Sequence, residues 1–147
     1  MTIRCEIVSQ DRPVFEGEVD MIVAPGSDGV MGILPHHAPL LTTLKPGELK
    51  VRYQGREDIF VVSGGVMEVR PDIVTVLADA AEHADEIDLA RAEEARQRAE
   101  ESLKSRPPGS EAYLAAEAAL HRSNLRLQVG RRRRRGPEIG SGGYTPG

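Results

Sequence analysis

Tryptophan is absent, and three tyrosines with two phenylalanines are all the aromatics in 147 residues. Any core must therefore be aliphatic and modest in size, and there is almost nothing on which nucleic-acid bases could stack. The lone cysteine, Cys5, excludes an internal disulfide and has no second cysteine at metal-ligand spacing. No apolar run approaches membrane-spanning length, and the opening "MTIRCEIVSQ" holds no apolar signal core. The expectation is a cytosolic protein, or one held at a membrane only through partners. Neither HExxH nor GxxxxGK[ST] occurs, so zinc-protease chemistry and P-loop hydrolysis are not expected.

Charge is distributed unevenly. Residues 1–86 carry 7 Lys+Arg against 15 Asp+Glu, and residues 87–147 carry 12 against 8. An acidic first part and a basic second part argue for two pieces with different neighbours.

The first piece reads in period two. "IRCEIVS" sets Ile3, Cys5 and Ile7 against Arg4 and Glu6; "EVDMIV" sets Val19, Met21 and Val23 against Glu18 and Asp20; "LKVRY" sets Leu49, Val51 and Tyr53 against Lys50 and Arg52. Turn signals separate such runs: Pro25-Gly26, Pro46-Gly47, Gln54-Gly55, Gly64-Gly65 and Pro71-Asp72. Short, β-branched strands without intervening helices predict an all-β sandwich or barrel over residues 1–85.

Near Asp85 the pattern changes. "DEIDLARAEEARQRAEESLKS" is dense in strong helix formers, and Asp85 followed three residues later by Asp88 resembles a capped start. Pro107-Pro108 must stop that helix. Ser110 caps a second one, for which Gly130 suits the C-terminal end. Two arms of about 19 residues, joined by a short connection, predict an antiparallel hairpin over residues 86–130. Its seam is lined by Ala92, Ala95, Ala99 and Leu103 against Tyr113, Ala116, Leu120 and Leu127, so it buries little area and should be marginal. From Arg131, "RRRRRGPEIGSGGYTPG" predicts a disordered basic tail over residues 131–147.

Three motifs in order, "GVMGILPHHAPLLTTLKPG", "VSGGVMEVRPDIVTVLADAAE" and "IDLARA", make residues 1 to about 129 resemble the ε subunit of the F-type proton-translocating ATP synthase. The resemblance implies an N-terminal β-sandwich of about ten strands followed by a helical hairpin. It implies a non-catalytic rotor subunit that grips the γ shaft and stands on the ring of c subunits. The hairpin is expected either to lie folded or to extend into the catalytic α/β head, where it restrains ATP hydrolysis. Location follows: the cytoplasmic face of a bacterial plasma membrane, as part of the complex.

Adjacent His36 and His37 invite a metal or proton-transfer reading, but neighbours in an extended segment point to opposite faces and converge poorly on one ion. Architecture is the better reading, with Pro35, His37 and Pro39 as a rigid turn. His37 holds the family's recurrent "P-x-H-A-P-L-L" position. The residue before it is often Gly or Asn, from which His36 departs. By the same resemblance Gly29, Val30 and Met31 form the loop that meets the c ring; a plain hairpin turn with Met31 folded inward is the alternative. Glu82, Asp88, Arg91, Ala92, Arg98, Arg122 and Arg126 match the regulatory ATP-binding pattern of bacterial ε subunits. Arg91 and Arg98 share one face of the first arm, Arg122 and Arg126 one face of the second, and four guanidinium groups would suit phosphate. Against this stands a solvated face of ordinary surface pairs such as Glu93–Arg96 and Glu94–Arg98. No metal and no hydrolysed cofactor is expected.

Two rival readings remain. The run Arg131–Arg135 would attract nucleic-acid phosphates, and His36, His37 and Asp28 would have to supply any metalloenzyme chemistry.

Overall fold

The computed structural model describes residues 1–134, and they fall into two compact units. Within the described residues, unit one spans Met1–His83 and unit two begins at Ala84.

Unit one holds eight strands: β1 (Ile3–Ser9), β2 (Pro13–Val19), β3 (Met21–Gly26), β4 (Gly29–Ile33), β5 (Leu40–Tyr53), β6 (Arg56–Val69), β7 (Ile73–Ala78) and β8 (Ala81–His83). They hydrogen-bond in the order β2-β1-β7-β6-β5-β3-β4, with β8 added to β6. β1 and β7 run parallel and all other pairs antiparallel. Although β2 is bonded only to β1, it also comes into contact with β5 and β8, so the sheet folds over its own core. That core is aliphatic as composition required, with Ile3, Cys5, Ile7, Val19, Ile22, Leu49, Val51, Val62, Met67, Val74 and Val76 all shielded from solvent. The few aromatics are concentrated: Phe15 meets Tyr53 and Phe60 at 5.7 and 5.9 Å between ring centroids.

The alternation in β1 and β5 falls as the sequence predicts. In β3 it does not: the buried residues are Ile22, Ala24 and Gly26, whereas Met21 and Val23 are half-buried. The chain bends at Asp20, whose N–H is bonded to Arg52 O at 2.7 Å. This bend shifts the inward phase by one residue after Val19.

The strand count is eight rather than about ten because two of the five turn signals lie in the middle of long strands and do not end them. Pro46 and Gly47 are paired with Ser63 and Val62 in the 14-residue β5–β6 ladder, and Gly65 is paired with Leu44 and Ala78. Gly64 and Gly65 (φ 110° and 140°) let β6 change direction without ending. A Cβ on Gly65 would stand 2.2 Å from Leu77 O, so β7 can approach only a glycine. Gln54-Gly55, by contrast, is a true two-residue hairpin turn with both φ values positive (51° and 74°), the geometry that follows strand twist.

Unit two opens with a 3-10 turn, Ala84–Glu86, followed by α1 (Leu89–Ser105) and α2 (Glu111–Arg134). The helix cap is Asp88 rather than Asp85: its Oδ1 accepts from Arg91 N at 3.1 Å. Ser110 caps α2 as predicted, its Oγ accepting from Tyr113 N at 3.1 Å. The seam of α2 advances by threes and fours through Tyr113, Ala116, Leu120, Ser123 and Leu127 to Gly130; Ala92 and Ala99 are buried on α1. Buried Ser123 is self-contained, donating its hydroxyl proton to Ala119 O at 2.9 Å.

The arms are not matched. α1 has 17 residues and α2 has 24, because α2 passes through Gly130 and continues to Arg134. Residues 131–134 are therefore helical, which corrects the expectation of disorder from Arg131; residues 135–147 of the expected tail lie outside the described residues. Gly130 is a packing residue and not a helix stop. A Cβ there would lie 2.7 Å from Leu89 Cδ2 and 3.1 Å from Ile87 Cγ2.

Candidate functional site

The His36–His37 stretch proves to be a turn held by the backbone. His36 has φ 65°, a left-handed conformation that costs an ordinary L-residue about 1–2 kcal/mol and that Gly or Asn adopts more easily. Its N–H donates to Pro71 O at 3.0 Å, and His37 N–H donates to Leu34 O at 3.2 Å. His37 Nδ1 lies 2.7 Å from Ala38 O; since a carbonyl only accepts, Nδ1 carries the proton. Pro35 and His37 are half-buried and Pro39 is exposed. Among the described residues no group of three or more His, Cys, Asp or Glu is placed to hold a metal ion.

Nearby, the hairpin between β3 and β4 presents Gly29, Val30 and Met31 differently. Gly29 takes φ 136°, open only to glycine, and Val30 is 78% exposed. Met31 turns inward and packs against the core beside Gly26, where a Cβ would come within 3.0 Å of its sulfur. Of the three residues, Gly29 and Val30 form the outward tip. Leu34 and Leu41 are also exposed.

The seven residues of the ATP pattern are dispersed between the units. Glu82 is in β8 of unit one. Asp88 caps α1, and its side chain also stands 4.0 Å from Arg91 Nε. Arg91, Arg98 and Arg122 are exposed and Arg126 is half-buried, while Ala92 is fully buried in the hairpin seam. Ala92 thus serves helix packing here.

A different set of charges is drawn together along the hairpin. Arg96 donates through Nε to Glu93 Oε1 at 3.1 Å and through Nη1 to Glu100 Oε1 at 2.6 Å. Arg131 Nη2 reaches Glu93 Oε2 at 3.5 Å, and Arg133 Nε donates to Asp85 Oδ1 at 2.8 Å. Hydrogen bonds from Arg96, followed by the nearby positive charge of Arg96 and Arg131, hold the Glu93 carboxyl below the usual carboxylate range. Sequence reasoning saw Glu93–Arg96 as an ordinary surface pair and missed the roles of Gly130, Arg131 and Arg133. The available signal was the unbroken 3–4 spacing from Tyr113 to Gly130, which carries past a glycine that looks like a terminator.

Both units match a known family. Residues 2–84 match "ATP synthase, Delta/Epsilon chain, beta-sandwich domain", and residues 85–130 match "ATP synthase, Delta/Epsilon chain, long alpha-helix domain". The chain belongs to the ATP synthase delta/epsilon family. Among curated members, the ATP synthase epsilon chain of Dehalococcoides mccartyi (strain ATCC BAA-2100) is 50% identical over 137 residues, 93% of this chain and 98% of that protein. That of Herpetosiphon aurantiacus is 51% identical over 134 residues, 91% and 98% respectively. Among solved structures, a chain of the Euglena gracilis mitochondrial ATP synthase, determined as OSCP/F1/c-ring, is 28% identical with a TM-score of 0.73, covering 84% of this chain and 78% of that one. A chain of the Tetrahymena thermophila central stalk and c-ring shares the fold at 13% identity and a TM-score of 0.58, covering 88% of this chain and 97% of that one. The match to the long alpha-helix domain ends at residue 130, whereas the Dehalococcoides relative is aligned over 93% of this chain.

Proposed function

We propose that the chain is a non-catalytic rotor subunit in the central stalk of an F-type ATP synthase, where it couples the γ shaft to the c ring during proton-driven ATP synthesis. The observation that carries this reading is the match of both units, in order, to delta/epsilon domains, together with about half-identity to epsilon chains over nearly their whole length. The sandwich is the anchoring body, and the Gly29–Val30 tip is its contact with the c ring. No helix among the described residues is long and apolar enough to cross a membrane. In this reading the chain is held at the cytoplasmic face of the membrane by the complex.

The hairpin restrains ATP hydrolysis when it extends into the catalytic head, and its arginines Arg91, Arg98, Arg122 and Arg126, with Asp88, form the regulatory ATP site. ATP acts there as a sensing ligand and is not hydrolysed. It shifts the hairpin only by the difference in its affinity for the two arrangements. The division of the chain at His83/Ala84 supports an independently folding sandwich.

Reconstituting the catalytic head and γ with residues 1–86 tests the assignment. The truncated chain should still join γ and release ATP hydrolysis, and unchanged hydrolysis would remove the restraining role. Titrating the full chain with ATP tests the nucleotide site; identical isotherms for wild type and Arg91→Ala/Arg126→Ala would remove it.

A further inference from the structure

A cavity of about 580 Å³ opens on the face of the hairpin where α1 brings Glu93 and Arg96 opposite Arg131 and Arg132 of α2. Asn124 and Gln128 complete its polar wall, and Leu127, nearly inaccessible to solvent, forms its apolar part. The size falls within the range of about 300–1,000 Å³ that small-ligand sites occupy.

The lining is chemically one-sided. Three guanidinium groups face one carboxylate, and the two carboxamides add neutral N–H donors. That carboxylate, Glu93, is already shared between the two arms, with Arg96 Nε at 3.1 Å and Arg131 Nη2 at 3.5 Å. Two of the pocket's cations thus already hold a carboxylate of the protein's own. The second wall depends on the continuation of α2: positions 124, 128, 131 and 132 share one helix face only if the helix does not stop at Gly130. Two of the three arginines lie beyond residues 85–130, the span that matches the long alpha-helix domain. None of Arg91, Arg98, Arg122 or Arg126 lines this cavity.

We propose that this pocket is a second anion site, which takes a compact phosphate polyanion in place of the Glu93 carboxylate on Arg96 and Arg131. Pyrophosphate and the phosphate tail of a nucleotide share the required chemistry: several oxygens, high charge density and a size that spans both arms. Because the donors come from α1 and α2 together, occupancy ties the open end of the hairpin closed and stabilises that arrangement by mass action. The site is independent of the rotor assignment and of the ATP pattern at Asp88 and Arg91.

Calorimetric titration of the full chain with inorganic pyrophosphate at low ionic strength provides the test. Saturable binding at one site is expected, weakened at least tenfold by Arg131→Ala/Arg132→Ala. Glu93→Gln should tighten it severalfold by removing the internal competitor. Lys104→Ala/Arg106→Ala, which removes the same charge from the far end of the hairpin, should leave it unchanged. ATP should displace pyrophosphate and adenosine should not. Absence of saturable binding overturns the proposal. So do equal losses in both double variants, full retention in Arg131→Ala/Arg132→Ala, or displacement by adenosine. Should Arg131→Ala/Arg132→Ala loosen the helix, as circular dichroism would reveal, Glu93→Gln decides alone: weaker or unchanged binding sinks the site.

Discussion

Arg133 reaches back 48 residues to Asp85, its Nε 2.8 Å from Oδ1. One turn earlier Gly130 lies against Ile87 and Leu89. The end of α2 is thereby fastened to the segment that leads into α1, by apolar contact inside and an ion pair outside. An exposed pair of this kind contributes at most about 1 kcal/mol and weakens as salt rises.

Arg133→Ala should therefore increase amide exchange in the last two turns of α2 several-fold at low salt, with little effect on residues 1–83. The difference should disappear near 1 M salt, where screening leaves a Debye length of about 3 Å. An equal difference at both salt concentrations would mean that packing, and not charge, is what Arg133 supplies.

Gly130→Leu should be worse. A branched side chain has to enter a space where even one added carbon meets Leu89 at 2.7 Å, and overpacking of this kind costs about 1–3 kcal/mol. Helical signal from unit two should be lost at lower temperature. Gly130→Ala is the informative contrast, since it adds helix propensity of about 1 kcal/mol that offsets the crowding. If Gly130→Leu melts like wild type, the close approach at Ile87 and Leu89 is not what holds the end of α2.

His36→Gly and His36→Asn should stabilise unit one by up to about 1 kcal/mol, because both relieve the left-handed strain at φ 65°. His37→Ala should not, since it removes the bond to Ala38 O without relieving any strain. Chemical denaturation of residues 1–83 measures each value. Chelators should change neither wild type nor variants, and a chelator-sensitive midpoint would revive the metal reading.

Cys5 is fully buried in β1, and burial, followed by the charge on Glu6, pushes its thiol up to about 12 from an ordinary value of 9.0. The folded state thus favours the neutral thiol. Its contribution to stability is complete below pH 9 and is lost as pH rises from 9 towards 12. The melting temperature of wild type should fall across that window more steeply than that of Cys5→Ala, and thiol reagents should label wild type at neutral pH only when it unfolds. Equal slopes would show that Cys5 does not report on alkaline unfolding.

Much of this was legible beforehand. Ile3, Cys5 and Ile7 alternate with Arg4 and Glu6 and point inward as read, Ser110 caps its helix, and alanines line the hairpin seam. The order of motifs was enough for the family. The seven residues of the ATP pattern were placed by resemblance, and here Ala92 is occupied with packing while Arg91, Arg98 and Arg122 face solvent.

Composition and periodicity by themselves determined an aliphatic β body followed by two helices, because each strand or helix advertises its buried face at intervals of two to four residues. Tertiary structure decided what the apparent punctuation means. Pro46-Gly47 and Gly64-Gly65 lie within paired strands, His36 takes a backbone angle better suited to glycine, and Gly130 continues a helix it was expected to end. The physical reason is common to all three: a local preference worth about 1 kcal/mol yields when a ladder partner or a packed side chain distant in sequence offers more.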